Sequence, residues 1–163
     1  MSDGAAPSEG ERRAIAGLEA SGIEFEVTRH GPVQSLAEAA EARGIDPAGI
    51  VKTIVVRRGD DDFLFVLVPG DRTISWPKLR ALLGVARLSM PDADTAKDVT
   101  GYVRGTITPF GSLVDWPVVA DSRVPVRTVS IGAGAHGVAA NVDGGELVRA
   151  LGATVSDVTD PEG

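Results

Sequence analysis

Apolar and polar positions along this chain alternate between two periods, and the changes of period mark its elements. Ser8-Glu9-Gly10-Glu11 has capping-box spacing, in which the Ser8 oxygen takes the Glu11 amide and the Glu11 carboxylate reaches back. Ile15 and Leu18 then give one apolar face to a helix that runs to Gly22. Ile23, Phe25 and Val27 alternate with Glu24 and Glu26, which predicts a half-exposed strand, and His30-Gly31-Pro32 turns the chain. Ser35 to Glu38 repeats the capping box for a second helix ending at Gly44, and Asp46-Pro47 punctuates the loop beyond it. Gly49 to Arg57 and Phe63 to Val68 are two apolar runs flanking the polar turn Arg58 to Asp62. They predict a hairpin whose second strand is covered on both faces.

Pro69-Gly70-Asp71 ends that hairpin, and Ser75-Trp76-Pro77 supplies an N-cap and a first-turn proline for a helix through Leu79, Leu82 and Leu83 to Gly84. A short strand is predicted at Ala86 to Met90. A helix follows over Pro91 to Val99, with acidic residues early and Lys97 late, as the helix dipole favours. Gly101 to Ser112 reads as an ordered loop. Val118 to Ala120, Thr128 to Ile131 and Val138 to Val142 read as strands, with Gly132 to Gly137 as the turn between the last two. Asp143-Gly144-Gly145-Glu146 caps a final helix, and Ala153 to Val158 closes the chain as a strand. Hairpins dominate the strand connections, so the expectation is one α+β domain over residues 8–160, a curved mixed or antiparallel sheet with helices packed around it. Residues 1–7, small and polar, are expected to be a disordered tail.

Composition narrows the chemistry. A chain of 163 residues, 43% hydrophobic, supports one real core. Its longest uncharged apolar run, Phe63 to Pro69, is far short of a membrane span, and no signal segment opens the chain, so a cytoplasmic protein with no membrane partner is expected. The absence of cysteine removes disulfides and thiolate nucleophiles, and two histidines are too few for a zinc site; neither metal nor cofactor is expected. A net charge of -7 argues against non-specific coating of nucleic acid, and no DNA partner is expected, although a local basic patch is compatible with it.

Lys52 is the residue that departs from its surroundings. On a strand it shares a face with Ile54 and Val56, while Val51, Thr53 and Val55 share the other, and neither is a solvent face. An ammonium group there needs an anionic or hydrogen-bonded partner, or water at a cleft mouth; a lysine whose head snorkels to water is the plainer alternative. Gly132-Ala133-Gly134-Ala135-His136-Gly137 has G-x-G-x-x-G spacing, but no helix fits before the Asp-Gly-Gly break, so a glycine hairpin is the better reading than a dinucleotide site. Asp60-Asp61-Asp62 lacks calcium-loop spacing and reads as a solvated turn. Gly111-Ser112 lacks the spacing of a nucleophile elbow. His30 and His136 read first as turn or core residues. Gly105-Thr106-Ile107-Thr108-Pro109 could hold backbone amides rigidly against an acyl oxygen, since glycine permits close approach and proline stiffens the far end.

Taken together, Val51-Lys52-Thr53, Val68-Pro69-Gly70-Asp71 and Thr100 to Gly111 resemble the YbaK/EbsC family, the stand-alone aminoacyl-tRNA editing domains related to the insertion domain of bacterial prolyl-tRNA synthetase. The Val-Ser-Ile-Gly-Ala-Gly turn also has a counterpart there. The resemblance implies a YbaK-like barrel and a trans-editing deacylase for mischarged tRNA, with prolyl-tRNA carrying cysteine or alanine as the expected substrate. Lys52 and Gly105 would be catalytic, and His30, Thr106, Thr108, Pro109, Ser130, Gly132 and Gly134 would bind substrate. The attacking group would be water, a ribose hydroxyl or the substrate's own side chain. Arg57, Arg58, Arg72, Arg80, Arg87 and Arg104 are expected near the site as tRNA phosphate contacts, with prolyl-tRNA synthetase as a second partner. Some relatives carry acidic residues where this chain has Ala139, Ala140 and Asn141. A non-catalytic module for the tRNA acceptor end or a synthetase, and an esterase for another small acyl compound, are the alternatives.

Overall fold

The computed structural model of the chain describes residues 7–162, so the expected tail lies, apart from Pro7, outside the described residues. Helix α1 (Glu9–Ser21) starts where Ser8 accepts the Glu11 amide at 3.1 Å and stops at a left-handed Gly22. The Glu11 carboxylate does not serve the capping box as expected. It is buried and meets Arg29 at 2.7 Å, tying α1 to strand β1 (Phe25–Arg29). Helix α2 (Leu36–Arg43) lies between Ser35 and Gly44 as its caps, and a single 3-10 turn at Pro47–Gly49 leads into β2 (Val51–Gly59).

Strand β3 (Asp62–Pro69) pairs antiparallel with β2, Lys52 facing Val68 in the register. Strand β4 (Arg72–Ile74), helix α3 (Trp76–Leu83) and helix α4 (Ala93–Thr100) follow. After the ordered loop come β5 (Val118–Asp121), β6 (Thr128–Gly132), β7 (Val138–Asp143), helix α5 (Gly144–Leu151), β8 (Thr154–Ser156) and β9 (Thr159–Pro161). They form a three-stranded antiparallel sheet in the order β1-β7-β6, a four-stranded mixed sheet in the order β2-β3-β5-β8, and the pair β4-β9. A parallel bridge between Ile50 and Ser130 joins the first two, so the expected curvature comes from two sheets meeting rather than from one closed ring of strands.

Because β2 and β3 lie between layers, their alternate side chains feed two cores. Val51, Val55, Phe63, Phe65 and Leu67 pack with Leu18 of α1 and Ile131 of β6; Val56, Leu64, Val66 and Val68 pack with Leu79 of α3 and Val158. Each fully buried side chain of this size contributes about 1.5–3 kcal/mol. The β2–β3 hairpin is therefore the rigid member against which the other elements are placed.

Two expectations on secondary structure are corrected. Ala86 to Met90 forms no strand beyond a single bridge from Ser89 to Arg57, since Ala86, Arg87, Ser89 and Met90 are exposed and have no sheet face to occupy. Ala153 to Val158 splits: β8 adds to β5, and the chain then breaks away so that β9 can pair with β4, a three-residue strand too short to stand out by alternation. Among the described residues no helix is long and apolar enough to cross a membrane.

Candidate active site

Lys52, near the start of β2, is half-buried, and its Nζ donates to the main-chain carbonyl of Arg72 at 3.0 Å. That carbonyl belongs to the first residue of β4, just past the turn that closes β3, so the ammonium has a fixed hydrogen-bond partner within the fold. An ammonium has more donors than this one bond uses. Lys52 lines a cavity of about 270 Å³ together with Arg43, Ile50, Val51, Thr53, Gly105, Ile107 and Gly132. Three residues singled out from the sequence, Lys52, Gly105 and Gly132, thus meet in one place although 80 positions separate the first from the last.

The loop carrying Gly105 is built to keep its shape. Gly105 has φ 90°, a left-handed conformation that side chains rarely adopt, and an added Cβ would lie 3.4 Å from the His136 ring. Thr106 Oγ1 donates to the Val103 carbonyl at 2.7 Å, and the Thr106 carbonyl accepts the Gly134 amide at 3.1 Å. Thr108 Oγ1 accepts the Phe110 amide at 3.3 Å. Thr106, Thr108 and Pro109 are all buried in the loop rather than on the cavity wall. Gly134 likewise packs against Gly10 of α1, backbone on backbone.

Across the base of the loop, Tyr102 is buried and donates its phenol to the Phe110 carbonyl at 2.7 Å. Burial raises the phenol above its ordinary value, and Arg13 pulls it the other way. Arg13, on α1, stands 4.7 Å over the Tyr102 ring and donates to the carbonyls of Gly101 and Gly111 at 3.0 and 3.2 Å. Helix α1 therefore braces both ends of the Gly105 to Pro109 segment.

His30 and Ser130 reach the cavity through a residue that sequence reasoning missed. Arg43, the last residue of α2, donates from Nε to His30 Nε2 at 3.3 Å and from Nη1 to the buried Ser130 Oγ at 3.4 Å. Because His30 Nε2 accepts, its proton belongs on Nδ1, which contacts the Gly31 carbonyl at 2.8 Å. Asn141 Nδ2 donates to the Arg43 carbonyl at 2.9 Å, so the strand on which relatives place acidic residues here anchors the helix end instead. Burial alone pulls Arg43 below the ordinary arginine value. An arginine in the last turn of a helix reads as a dipole partner, and nothing in its spacing marked it as a cavity residue.

The expected arginine cluster divides. Arg57, Arg58, Arg80 and Arg87 line a separate cavity of about 580 Å³ at the turn end of β2. Five residues of strand, at about 3.3 Å each, separate Arg57 from Lys52 by roughly 17 Å, so these four are not beside the small cavity as expected. Arg57 pairs with Asp60 at 2.7 Å and Arg58 with Asp62 at 3.0 Å. Arg72 is spent on Thr159, at 2.7 Å from its Nε, where it fastens β4 to β9. Arg104 is exposed next to Gly105.

The sequence pattern of the aminoacyl-tRNA editing domain matches residues 30–150, a span that holds every residue lining the small cavity. This chain belongs to that family. The editing domain is 36% identical over 92 residues to the proline--tRNA ligase of Caldicellulosiruptor bescii, covering 56% of this chain and 16% of the ligase. It is 32% identical over 116 residues to that of Heliobacterium modesticaldum, covering 71% of this chain and 19% of the ligase. The chain thus spans less than a fifth of the curated relatives it matches. A structure presented as that of a candidate trans-editing enzyme for prolyl tRNA synthetase superposes with TM-score 0.84 over 95% of this chain and 99% of that one, at 24% identity, and shares the fold.

Proposed function

We propose that this editing domain hydrolyses the ester between a wrongly attached amino acid and the terminal ribose of tRNA, with alanine or cysteine on the proline tRNA as the substrate. The observation that carries the reading is the shared cavity of Lys52 and Gly105. Water adds to the ester carbonyl, the carbonyl oxygen becomes an oxyanion, and the bond to the ribose oxygen breaks. That oxygen leaves with a proton, giving the free amino acid and a tRNA hydroxyl. Lys52 supplies positive charge to the oxyanion, and Gly105, without a side chain, lets the ester approach the loop backbone. No protein nucleophile is needed, since the ester is already activated.

The cavity volume of about 270 Å³ supports a small acyl group, as does its apolar wall of Ile50, Val51 and Ile107. The nucleotides that precede the terminal adenosine then lie outside it. Arg57, Arg58, Arg80 and Arg87, which share the larger cavity, are the proposed contacts for acceptor-stem phosphates, with Arg57 about 17 Å from Lys52 along β2. A synthetase partner, prolyl-tRNA synthetase, would present the tRNA.

The test is a panel of mischarged tRNAs incubated with the protein and with Lys52→Ala. Loss of one charge aimed at an oxyanion lowers kcat by about 100- to 1,000-fold. Full turnover by Lys52→Ala refutes the assigned role. Binding of tRNA with no turnover of any member by the unaltered protein would establish a non-catalytic module instead.

A further inference from the structure

The small cavity holds two cations, Arg43 and Lys52, and no carboxylate lines it, in a chain whose net charge is -7. Lys52 has its role above. Arg43 has none, yet the fold fixes it from three sides: His30 at the end of β1, Ser130 on β6, and Asn141 on β7 through the main chain. None of the three anchors is a carboxylate: His30 and Ser130 orient the guanidinium, Asn141 fixes the main chain behind it, and no carboxylate among them offsets its charge. Among the described residues Arg43 forms no ion pair, and burial is what its surroundings impose on it. A partly desolvated cation without a counter-charge is costly to maintain. Two of its donors are spent on His30 and Ser130, which leaves the rest of the planar fork for a ligand. A planar fork matches paired oxygens of a phosphate, whereas an ester carbonyl and a ribose hydroxyl offer no charge to it.

We propose that Arg43 is a substrate-binding residue that clamps the phosphodiester on the 5′ side of the terminal adenosine, setting the ester at the depth of Lys52. This rests on the editing reading for its substrate, but its ligand is the nucleotide and not the acyl group. Lys52 meets the ester, and Arg43 meets the phosphate about one nucleotide away.

Equilibrium binding of the trinucleotide CpCpA and of adenosine is measured for the unaltered protein, Arg43→Ala and Arg43→Lys, with melting temperature as the check on folding. Loss of a charge-assisted fork weakens CpCpA binding about 10- to 100-fold in Arg43→Ala, leaves adenosine binding unchanged, and gives an intermediate loss in Arg43→Lys. The salt dependence of CpCpA affinity also loses about 0.7 from its logarithmic slope. Equal CpCpA affinity in Arg43→Ala, or no CpCpA binding by the unaltered protein, overturns the proposal. So does an equal loss for adenosine and CpCpA at unchanged melting temperature. These readouts do not depend on turnover: CpCpA binding that needs Arg43, in a protein that deacylates nothing, would remove the editing reading and keep the clamp. Where turnover occurs, Arg43→Ala raises KM for aminoacylated CpA about 10- to 100-fold and leaves KM for the aminoacylated nucleoside, which has no phosphate, unchanged.

Discussion

Replacing Tyr102 by phenylalanine tests whether the Gly105 loop is held from its base. The substitution keeps the ring beneath Arg13 and deletes only the hydroxyl, which donates to the Phe110 carbonyl at 2.7 Å. Tyr102 is 1% exposed and Phe110 5%, so water does not easily replace the lost donor. A buried carbonyl left unpaired costs about 1–3 kcal/mol. For a chain of this length each kcal/mol lowers Tm by about 2–4 °C, so a fall of about 4–8 °C is expected from a loss near 2 kcal/mol. Thermal unfolding gives the stability term, and deacylation of mischarged tRNA well below Tm gives the functional one. If the phenol fixes the loop, kcat falls while the folded fraction at the assay temperature is unchanged. A Tm within about 1 °C of the parent with unaltered kcat would refute the brace, because the phenol would then hold nothing that matters to the loop.

Two further outcomes concern the network beside β9. Asp121 is fully buried and accepts the Val158 amide at 3.1 Å, the Thr159 hydroxyl at 2.8 Å, and the Arg123 main-chain amide and guanidinium at 3.2 and 3.1 Å, so Asp121→Ala should cost at least about 3 kcal/mol in urea unfolding, since bonds to a charged group contribute about 1.5–3 kcal/mol each, less the relief of burying it. Arg123 and Lys78 hold Asp157 down to about 2 from 3.8. A depressed carboxyl stabilises the fold fully above its unfolded value, and the contribution fades as pH falls through the folded one; stability should therefore drop between about pH 4 and pH 2, less steeply in Asp157→Asn.

Much of the scaffold is written in local chemistry. Ser8, Ser35, Ser75 and Asp143 each cap the helix expected of them, and the unbroken run Phe63 to Val68 is the strand covered on both faces. The pairing of β4 with β9 joins residues 72–74 to 159–161, and no local pattern in three residues can announce a partner so far along the chain. Lys52 was legible because its polarity conflicts with its neighbours, and Gly105 because glycine and proline bracket the loop. Arg43 was not, since its environment is made by His30 just past β1, Ser130 on β6 and Asn141 on β7. The separation of Arg57 from Lys52 was legible as well, because the rise of a strand alone sets the two about 17 Å apart.

The contacts of Gly10 with Gly134 and of Gly17 with Gly111 join α1 to two loops with main chain on both sides of the seam. Such a joint has no side chain to trim when the facing position enlarges, so the ordinary route of drift, a larger residue here met by a smaller one there, is closed. Divergence among descendants of this chain must therefore detour around these four positions or displace the whole helix at once.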